Sequence, residues 1–280
     1  MVDWRSSEGQ RRGAGGVNNN QQNPAAQKKP PPRLYRYRKL DEATISTIVN
    51  SVIYFSKGDQ FNDPFDCRLR YNHEGTDEEW RELLKRMLQR NFPEFSQEQV
   101  TNLVEKKIRE GAHRDLRFLD QIDDDAQRER INKTGILCLT ASPTNILMWS
   151  HYADSHKGCC LEFSTGTRIF EHAQDIKYFP EYPNLRYIDY YGDSSVHAEL
   201  KWFTKSELWQ YEDEWRVINP NGPGLCKFDE KSLTGIVFGY WMTAENKALL
   251  TKLVQERSPR VKLYQAVPKN RQFEMELLPL

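Results

Sequence analysis

The chain has 280 residues, and its 40 Lys and Arg residues balance its 40 Asp and Glu residues. Hydrophobic residues make up 38% and aromatic residues 12%, so we expect most of the chain to fold around a core. A net charge of zero argues against a general coat of nucleic acid or lipid, although a local basic patch remains compatible with it. No apolar run approaches the roughly 20 residues of a membrane helix.

The five cysteines are an odd number without regular spacing, and the N-terminal segment has no apolar signal core. Together these features favour free thiols in a reducing, cytoplasmic setting.

Residues 1–32 are rich in Gly, Asn, Gln, Lys and Pro, and they predict a flexible tail. We expect residues 33–280 to form a single α+β domain in which residues 76–131 are a helical insertion. Thr76 with Glu79 is a capping box, and apolar residues follow at helical spacing. The acidic run from Asp123 to Asp125 is expected to be exposed rather than to hold a metal.

Elements of both kinds follow along the chain without strict alternation, which favours the α+β class. The predicted strands are 33–39, 52–55, 135–140, 159–163, 176–179, 186–190, 214–218, 236–239, 261–266 and 273–277. The predicted helices follow Asp41, Thr76 and Pro143 and cover 96–109, 116–131, 167–172, 198–209 and 243–256.

The segment 147–158 combines Trp149, His151, Tyr152 and His156 within twelve positions. Two further segments, 54–66 and 209–216, also mix aromatic residues with polar and charged ones. Such mixtures are typical of a lined pocket more than of a plain core, so we expect the three segments to meet.

Two histidines and two cysteines, at 151, 156, 159 and 160, raise the question of zinc. Their spacing matches no usual ligand pattern, and adjacent cysteines on one strand point to opposite faces. A Cys/His nucleophilic pair has no signature here either. We therefore predict no metal site and histidines that line the core or a pocket, with His156 as the better ligand contact.

The loop around Asn62-Asp63-Pro64 predicts an Asx-type turn, anchored by Phe61 and Phe65. Its functional interpretation is that Asn62 and Asp63 present acceptors to a hydroxyl group of a ligand.

In the segment WQYEDEWR, an extended backbone would place Glu212, Glu214 and Arg216 on one face. The two carboxylates would repel each other unless a cation or a hydrogen-bond donor lay between them. One interpretation is a salt bridge on the strand face with Arg216 and a Lys or Arg from outside the segment. The other is a carboxylate beside a sugar, where it stabilises positive charge at an anomeric carbon, with Trp209, Tyr211 and Trp215 as stacking surfaces.

In the first strand, alternation places Leu34, Arg36 and Arg38 on one face. Arg36 is either a solvated residue of an edge strand or a guanidinium that holds a phosphate.

Four segments of the sequence together resemble the motifs of a known family. In chain order they are YRY, YFSKGDQFNDPFD, LMWSHYADSHKG with CCLEF, and WQYEDEWR. From Leu34 onward, the chain resembles the bacterial domain-of-unknown-function family 2971.

A second, weaker likeness is to the ADP-ribosyltransferase fold, which implies a mixed or antiparallel split sheet and NAD as the cofactor. On that resemblance Arg36 would hold the phosphates, and Tyr54 or Ser56 would line the nicotinamide pocket. Glu214 would contact the nicotinamide ribose and Glu212 would lie near the acceptor. The chain departs from that pattern because it lacks a His-Gly or Ser-Thr-Ser element and has a long helical segment before the late carboxylates.

Three functional hypotheses follow. The first is an NAD-dependent ADP-ribosyltransferase-like enzyme, such as a toxin or a phage-defence effector, whose acceptor is open. The second is a module that binds a nucleotide or a nucleic-acid end without turnover. The third is a metal-dependent hydrolase that uses His151 and His156. The enzymatic hypothesis expects Arg36, Tyr54 and Glu214 to converge with His156 on one cleft.

Overall fold

The computed structural model describes residues 28–190, 200–257 and 260–280. Most of the predicted tail, residues 1–27, lies outside the described residues. Within the remainder, the backbone N–H and hydroxyl of Thr165 donate to the carbonyls of Pro32 and Pro31, at 3.1 and 2.5 Å. The packed part of the chain therefore reaches back to Pro31.

The described residues contain fourteen strands and seven α-helices with defined bounds. The strands are β1 (Arg33–Arg38), β2 (Val52–Phe55), β3 (Tyr71–Asn72), β4 (Gly135–Thr140), β5 (Cys159–Ser164), β6 (Gln174–Asp175), β7 (Lys177–Phe179), β8 (Leu185–Arg186), β9 (Thr204–Ser206), β10 (Glu214–Asn219), β11 (Gly224–Lys227), β12 (Leu233–Phe238), β13 (Lys262–Pro268) and β14 (Met275–Pro279). The helices are α1 (Glu42–Asn50), α2 (Asp77–Asn91), α3 (Gln97–Glu110), α4 (Leu116–Lys133), α5 (Ile146–Tyr152), α6 (Tyr187–Tyr190) and α7 (Ala244–Arg257).

Eight strands form one central sheet in the order β14-β13-β12-β5-β1-β4-β10-β6. Its neighbours pair antiparallel except β12 and β13, which are parallel. Three two-stranded sheets, β11-β2, β3-β8 and β7-β9, lie outside it in the described ranges. The predicted α+β class with a mixed, mostly antiparallel sheet is confirmed.

The central sheet buries both of its faces, because successive side chains of each strand point in opposite directions. On one face, Leu34 of β1 belongs to a core that includes Ile48 of α1 and Leu250 of α7. On the other face, Tyr37 of β1 packs with Trp149 of α5. This alternation decides below which predicted site residues can meet.

The helices α2, α3 and α4 form a lobe with its own hydrophobic core around Trp80, Leu83 and Val104. Thr76 and Ser96 both close capping boxes at the starts of α2 and α3, as the sequence predicts for Thr76. The expectation that Asp123 is exposed is wrong. Its carboxylate is buried and lies 3.3 Å from the Lys201 ammonium group, which supplies the opposite charge that burial requires.

Three predicted elements differ. The short helix expected at 167–172 is only a 3₁₀ helix, Phe170–His172. The strand expected at 186–190 is only two residues long and continues as α6. The helix expected at 198–209 falls partly outside the described residues. Residues 200–203 are helical, but the chain then forms β9 and a 3₁₀ helix, Glu207–Glu212. Here β9 pairs in parallel with β7, so pairing overrides local helix propensity.

None of the helices in the described ranges combines the length and the hydropathy required of a membrane span.

Candidate functional site: a buried carboxylate cluster and a cavity beneath the helical lobe

Glu212 and Glu214 do not share one strand, so the extended geometry considered for WQYEDEWR does not apply to Glu212, while the strand predicted from Glu214 is present. Glu212 ends the 3₁₀ helix, Asp213 has a φ of 43°, and Glu214 begins β10. The left-handed residue between them lets both carboxylates turn inward, where they are only 3% and 5% exposed.

Arg216 lies at the centre of this cluster and has no exposed surface. Its guanidinium group forms a bidentate pair with Asp66, at 2.8 and 2.6 Å, and donates to Glu214 at 2.7 and 3.0 Å. It also donates to the carbonyl of Trp202 at 2.9 Å. A planar guanidinium suits such two-sided recognition of carboxylates.

Lys205 of β9 is the cation that lies between the two glutamates. Its Nζ is 2.5 Å from Glu212, 3.1 Å from Glu214 and 3.7 Å from Asp66. Burial opposes the charge of Lys205, but the three carboxylates outweigh burial and raise its pKa. The cluster thus joins three carboxylates to two cations.

The two glutamates respond to this environment in opposite ways. Burial favours the neutral form of Glu214, but Arg216 and Lys205 overcome it and lower the pKa to about 2. For Glu212, burial and the nearby charge of Glu214 raise the pKa, and the bonds from Lys205 and Tyr152 offset that rise only in part.

A short chain of hydrogen bonds connects the cluster to the surface. The Tyr152 hydroxyl donates to Glu212 at 2.6 Å, and the exposed Asn62 donates to that hydroxyl at 3.2 Å. The exposed ring of His151 lies 6.2 Å from the rings of Tyr152 and Tyr211. Of the predicted residues, Glu212, Glu214, Asn62 and His151 therefore lie in one region.

Arg36 lies elsewhere, on the opposite face of the sheet. In the strand register, Tyr35 pairs with Thr140 and Thr140 pairs with Glu214, so Tyr35 and Glu214 share a face. Arg36 is the next residue and pairs with Leu161, whose side chain belongs to the other core. The expected convergence of Arg36 with Glu214 is absent from this fold.

Tyr54, Ser56 and Asp63, the other candidate residues of the early segments, have mostly structural contacts. The Arg36 guanidinium donates to the carbonyl of Tyr54 at 3.4 Å, while the Tyr54 side chain is 40% exposed. Ser56 exchanges two backbone hydrogen bonds of 2.8 Å with Ile136. Asp63 forms the predicted Asx turn, since its Oδ1 accepts from the Phe65 N–H at 2.9 Å. Phe65, expected as an anchor, is 65% exposed.

Trp149 and His156 form an aromatic group separate from the carboxylate cluster. Trp149 is completely buried, and its indole N–H donates to the carbonyl of Pro143 at 3.0 Å. The His156 ring stacks on the Trp149 ring, with 6.3 Å between the ring centroids. It packs edge-on against Trp241, with a centroid distance of 5.4 Å. Burial lowers the pKa of His156.

Sequence reasoning gave Asp66, Tyr152 and Lys205 no individual role in the cluster, although Asp66 and Tyr152 belong to two of the three segments that were expected to meet. For Lys205 the only available signal was the requirement for a cation between two neighbouring glutamates. That requirement does not identify which of the many lysines meets it, because the pairing of β9 with β7 brings Lys205 into place.

A cavity of about 1360 Å³ lies beneath the helical lobe, and sequence reasoning did not predict it. Its lining is mainly apolar and aromatic, and it includes Trp80, Tyr187 and Trp202. Five lining side chains are positively charged and two are acidic. The positively charged ones are Arg90, Lys107, Arg130, Lys133 and Lys201, and the acidic ones are Asp123 and Glu129.

Two buried histidines of this cavity have ring nitrogens without a hydrogen-bond partner in the described part of the chain. These are both nitrogens of His73 and Nδ1 of His113. The Nε2 of His113 lies 2.9 Å from Asp77. Since buried polar atoms usually have hydrogen-bond partners, these nitrogens are candidates for contact with a ligand.

Within the described ranges, no three His, Cys, Asp or Glu side chains form a group that could hold a metal ion. His151, His156 and the neighbouring cysteines therefore provide no such ligand set for the hydrolase hypothesis.

Comparison with known families supports the first resemblance. The model of the family described as "Protein of unknown function (DUF2971)" matches residues 148–217. This span contains Tyr152, Lys205, Glu212, Glu214 and Arg216, which are all but one of the residues discussed in the carboxylate cluster. No curated protein and no solved structure matches the chain, and the likeness to ADP-ribosyltransferases is not confirmed.

Proposed function

We propose that this protein recognises a nucleotide in the cavity beneath its helical lobe and does so without turnover. The observation that carries the proposal is the combination of aromatic walls and excess positive charge in a cavity of about 1360 Å³. Ligand pockets usually measure roughly 300–1,000 Å³, so this one has room for a mononucleotide or a dinucleotide such as NAD.

The aromatic wall suits a flat heterocyclic ring. The centroids of the Trp80 and Tyr187 rings are 6.3 Å apart, and the two ring planes are inclined to each other by only 25°. The His73 ring lies 5.2 Å from Tyr187, and the His113 ring lies 6.0 Å from Trp80. Offset stacking on such rings stabilises a bound base without requiring hydrogen bonds.

The charge of the lining suits phosphate groups. Lys201 lies 3.3 Å from Asp123 and Lys133 lies 2.5 Å from Glu129, so each carboxylate has a partner. With five cations against two acids, the charges of Arg90, Lys107 and Arg130 remain in excess. Positive charge concentrated in a concave site attracts anions even when the whole chain is neutral.

The carboxylate cluster supports recognition rather than glycosyl transfer from NAD. Every side-chain oxygen of Glu212 and Glu214 accepts a hydrogen bond from Lys205, Tyr152 or Arg216. Both carboxylates are buried and already engaged, which leaves little surface for a ribose to contact. Arg36, the residue expected to hold the phosphates, is on the other face of the sheet.

Thermal shift and isothermal titration calorimetry with AMP, ADP and NAD test the binding proposal. We expect at least one of them to raise the melting temperature, and adenosine and inorganic phosphate each to bind more weakly. A ligand at 100 times its Kd stabilises the folded state by about 2.7 kcal/mol. Failure of all three nucleotides to bind would overturn the proposal.

A matched pair of variants localises the binding. Ala126 of α4 lines the cavity, whereas Ala43 of α1 is exposed and is not part of that lining. Ala126→Phe fills part of the cavity and should weaken nucleotide binding at least tenfold, or about 1.4 kcal/mol. Ala43→Phe should leave binding unchanged. Equal affinities in the two variants would place the ligand elsewhere.

A separate assay tests the absence of turnover. Incubation of the protein with NAD should yield no nicotinamide by mass spectrometry. Nicotinamide release that Glu214→Gln abolishes, in a variant that remains folded, would instead favour the ADP-ribosyltransferase hypothesis.

A further inference from the structure

His73 is the most unusual polar group of the cavity. Its side chain is only 4% exposed, and neither ring nitrogen has a hydrogen-bond partner among the described residues. A neutral imidazole has one donor and one acceptor, and an imidazolium has two donors. Because both nitrogens are withdrawn from water, a bound group that supplies a partner would recover lost hydrogen-bond energy.

The charged and titratable groups around His73 come from several elements. From α4, Asp120 lies 3.8 Å from Nε2, and Asp123 also favours the charged imidazole. From the helical residues 200–203, Lys201 disfavours that charge. From α6, Tyr187 faces the ring at 5.2 Å. The largest influence is burial, which lowers the pKa of His73 and so favours the neutral imidazole in the unliganded protein.

An anion within hydrogen-bond distance of this ring would reverse that balance. A negative charge close to an imidazole favours the imidazolium form, and burial strengthens the effect because water screens it less. One N–H of the imidazolium would then donate to the anion, while the other would face Asp120. The buried ammonium group of Lys201 lies in the same cavity, where Asp123 already pairs with it.

We infer that the phosphate group of the bound nucleotide lies against His73 and that the nucleotide enters together with one proton. This inference rests on the proposed function. Beyond that function, it identifies His73 as the residue that selects the anion and predicts that nucleotide affinity depends on pH. The proton comes from solvent and resides on the imidazole, so no covalent bond other than N–H forms. Nucleosides without phosphate would bind without this proton.

Calorimetry with AMP in two buffers of different ionisation enthalpy measures the proton directly. At pH 7 we expect wild-type protein to take up about half a proton or more, and its Kd to tighten about tenfold between pH 8 and pH 6. AMP itself titrates near pH 6. The informative quantity is therefore the difference in proton uptake between wild type and variants, since the titration of AMP contributes the same number of protons to both.

His73→Gln keeps polar atoms at the site and cannot gain the charge, so it should abolish the excess proton uptake and flatten the pH dependence of Kd. His151→Gln is the matched control, because His151 is exposed and lies outside the lining of the cavity. It should behave as wild type. His73→Asn is a second variant in case His73→Gln fails to fold, with melting temperatures measured for all three.

The outcomes separate the inference from the proposed function. If AMP binds and the His73 variants take up as many protons as wild type, the inference is wrong and nucleotide binding stands. If AMP binds wild type with no proton uptake beyond its own, the inference is equally wrong. If neither AMP, ADP nor NAD binds, the proposed function fails and this inference fails with it.

Discussion

Arg216 shows how one side chain organises the interior of this domain. It is completely buried, and its guanidinium group joins Asp66 from a loop, Glu214 of its own strand and the carbonyl of Trp202. A buried ion pair is not strong evidence of net stability, because desolvation opposes the attraction. Once the cluster exists, however, removal of one partner leaves charges that water cannot reach.

We therefore predict that Arg216→Met lowers the free energy of unfolding by about 3–5 kcal/mol, since Asp66 and Glu214 lose their shared cation. Urea unfolding followed by tryptophan fluorescence measures the change. Arg70→Met is the control, because Arg70 is 60% exposed and pairs with Asp124 at the surface. It should cost less than about 1 kcal/mol. Similar losses in both variants would show that the cluster has no special role in stability.

The low pKa of Glu214 predicts a dependence of stability on pH. That pKa is about 2 in the folded state against an ordinary value of 4.5, so the unfolded chain binds more protons between these values. The contribution of Glu214 is present above pH 4.5 and is lost as the pH falls towards 2. The contribution of Glu212 to stability changes with pH in the opposite direction. Its raised pKa makes the folded state bind more protons than the unfolded state above pH 4.5, so this contribution decreases as the pH rises.

Urea unfolding at several pH values between 3 and 7 tests the contribution of Glu214. We expect Glu214→Gln to be less stable than wild type at pH 7 and to lose less stability on acidification. Glu181→Gln, at an exposed position, should keep the wild-type slope. Parallel slopes for wild type and Glu214→Gln would contradict the assignment.

At the scale of elements, the turn after α5 is held in an unusual backbone conformation. Asp154, Ser155 and His156 all have positive φ, at 48°, 50° and 66°. Left-handed geometry costs a residue with a Cβ about 1–2 kcal/mol, so three in succession require compensation. It comes from backbone hydrogen bonds, including the His156 N–H to the carbonyl of Trp149 and the Gly158 N–H to that of Ala153.

Gly158 allows this turn to pack against the first strand. A Cβ at this position would collide with the carbonyl oxygen of Arg38, which is fixed in β1. We predict that Gly158→Ala lowers the free energy of unfolding by more than about 3 kcal/mol, because backbone atoms would have to move. Circular dichroism melts or urea curves measure this loss.

Gly166→Ala is the matched control for that substitution. The nearest atom to a Cβ at Gly166 is 3.9 Å away, which is an ordinary contact. Its effect should be close to zero or slightly stabilising, by about 0.4–1 kcal/mol, through the unfolded state. If Gly158→Ala is tolerated as well as Gly166→Ala, the close approach of the turn to β1 is not essential.

At the scale of the whole molecule, the lobe and the central sheet are linked through the segment that follows residue 200. Lys201 and Trp202 line the cavity beneath the lobe. Lys205, only three residues after Trp202 and in strand β9, binds the glutamates of the carboxylate cluster. The Trp202 carbonyl also accepts from Arg216. The cavity and the cluster thus share one short stretch of backbone.

This arrangement predicts where a bound nucleotide will protect the chain from hydrogen exchange. Saturating AMP should slow exchange in α2, α4 and residues 200–206, because a ligand in the cavity raises the cost of opening these elements. Helix α7, which packs on the other face of the sheet, serves as the internal reference and should not change. Protection confined to α7 or to the surface near His151 would contradict the cavity as the binding site.

The sequence by itself determined the elements whose signals are local. The capping box at Thr76, the helical spacing of the lobe and the alternation in the first strand depend on neighbours within a few residues, and the structure agrees with them. The order of the motifs likewise identified the family resemblance, which the match to residues 148–217 supports.

Only the tertiary structure decided which of the predicted site residues meet. Strand pairing puts Arg36 and Glu214 on opposite faces of the sheet, and alternation alone could not reveal this, since the register between distant strands depends on the whole fold. The same long-range pairing brings Lys205 between the glutamates. The cavity and its unpartnered imidazoles form because the three helices of the lobe pack against residues from distant segments of the chain. No local sequence pattern therefore distinguishes His73 or His113.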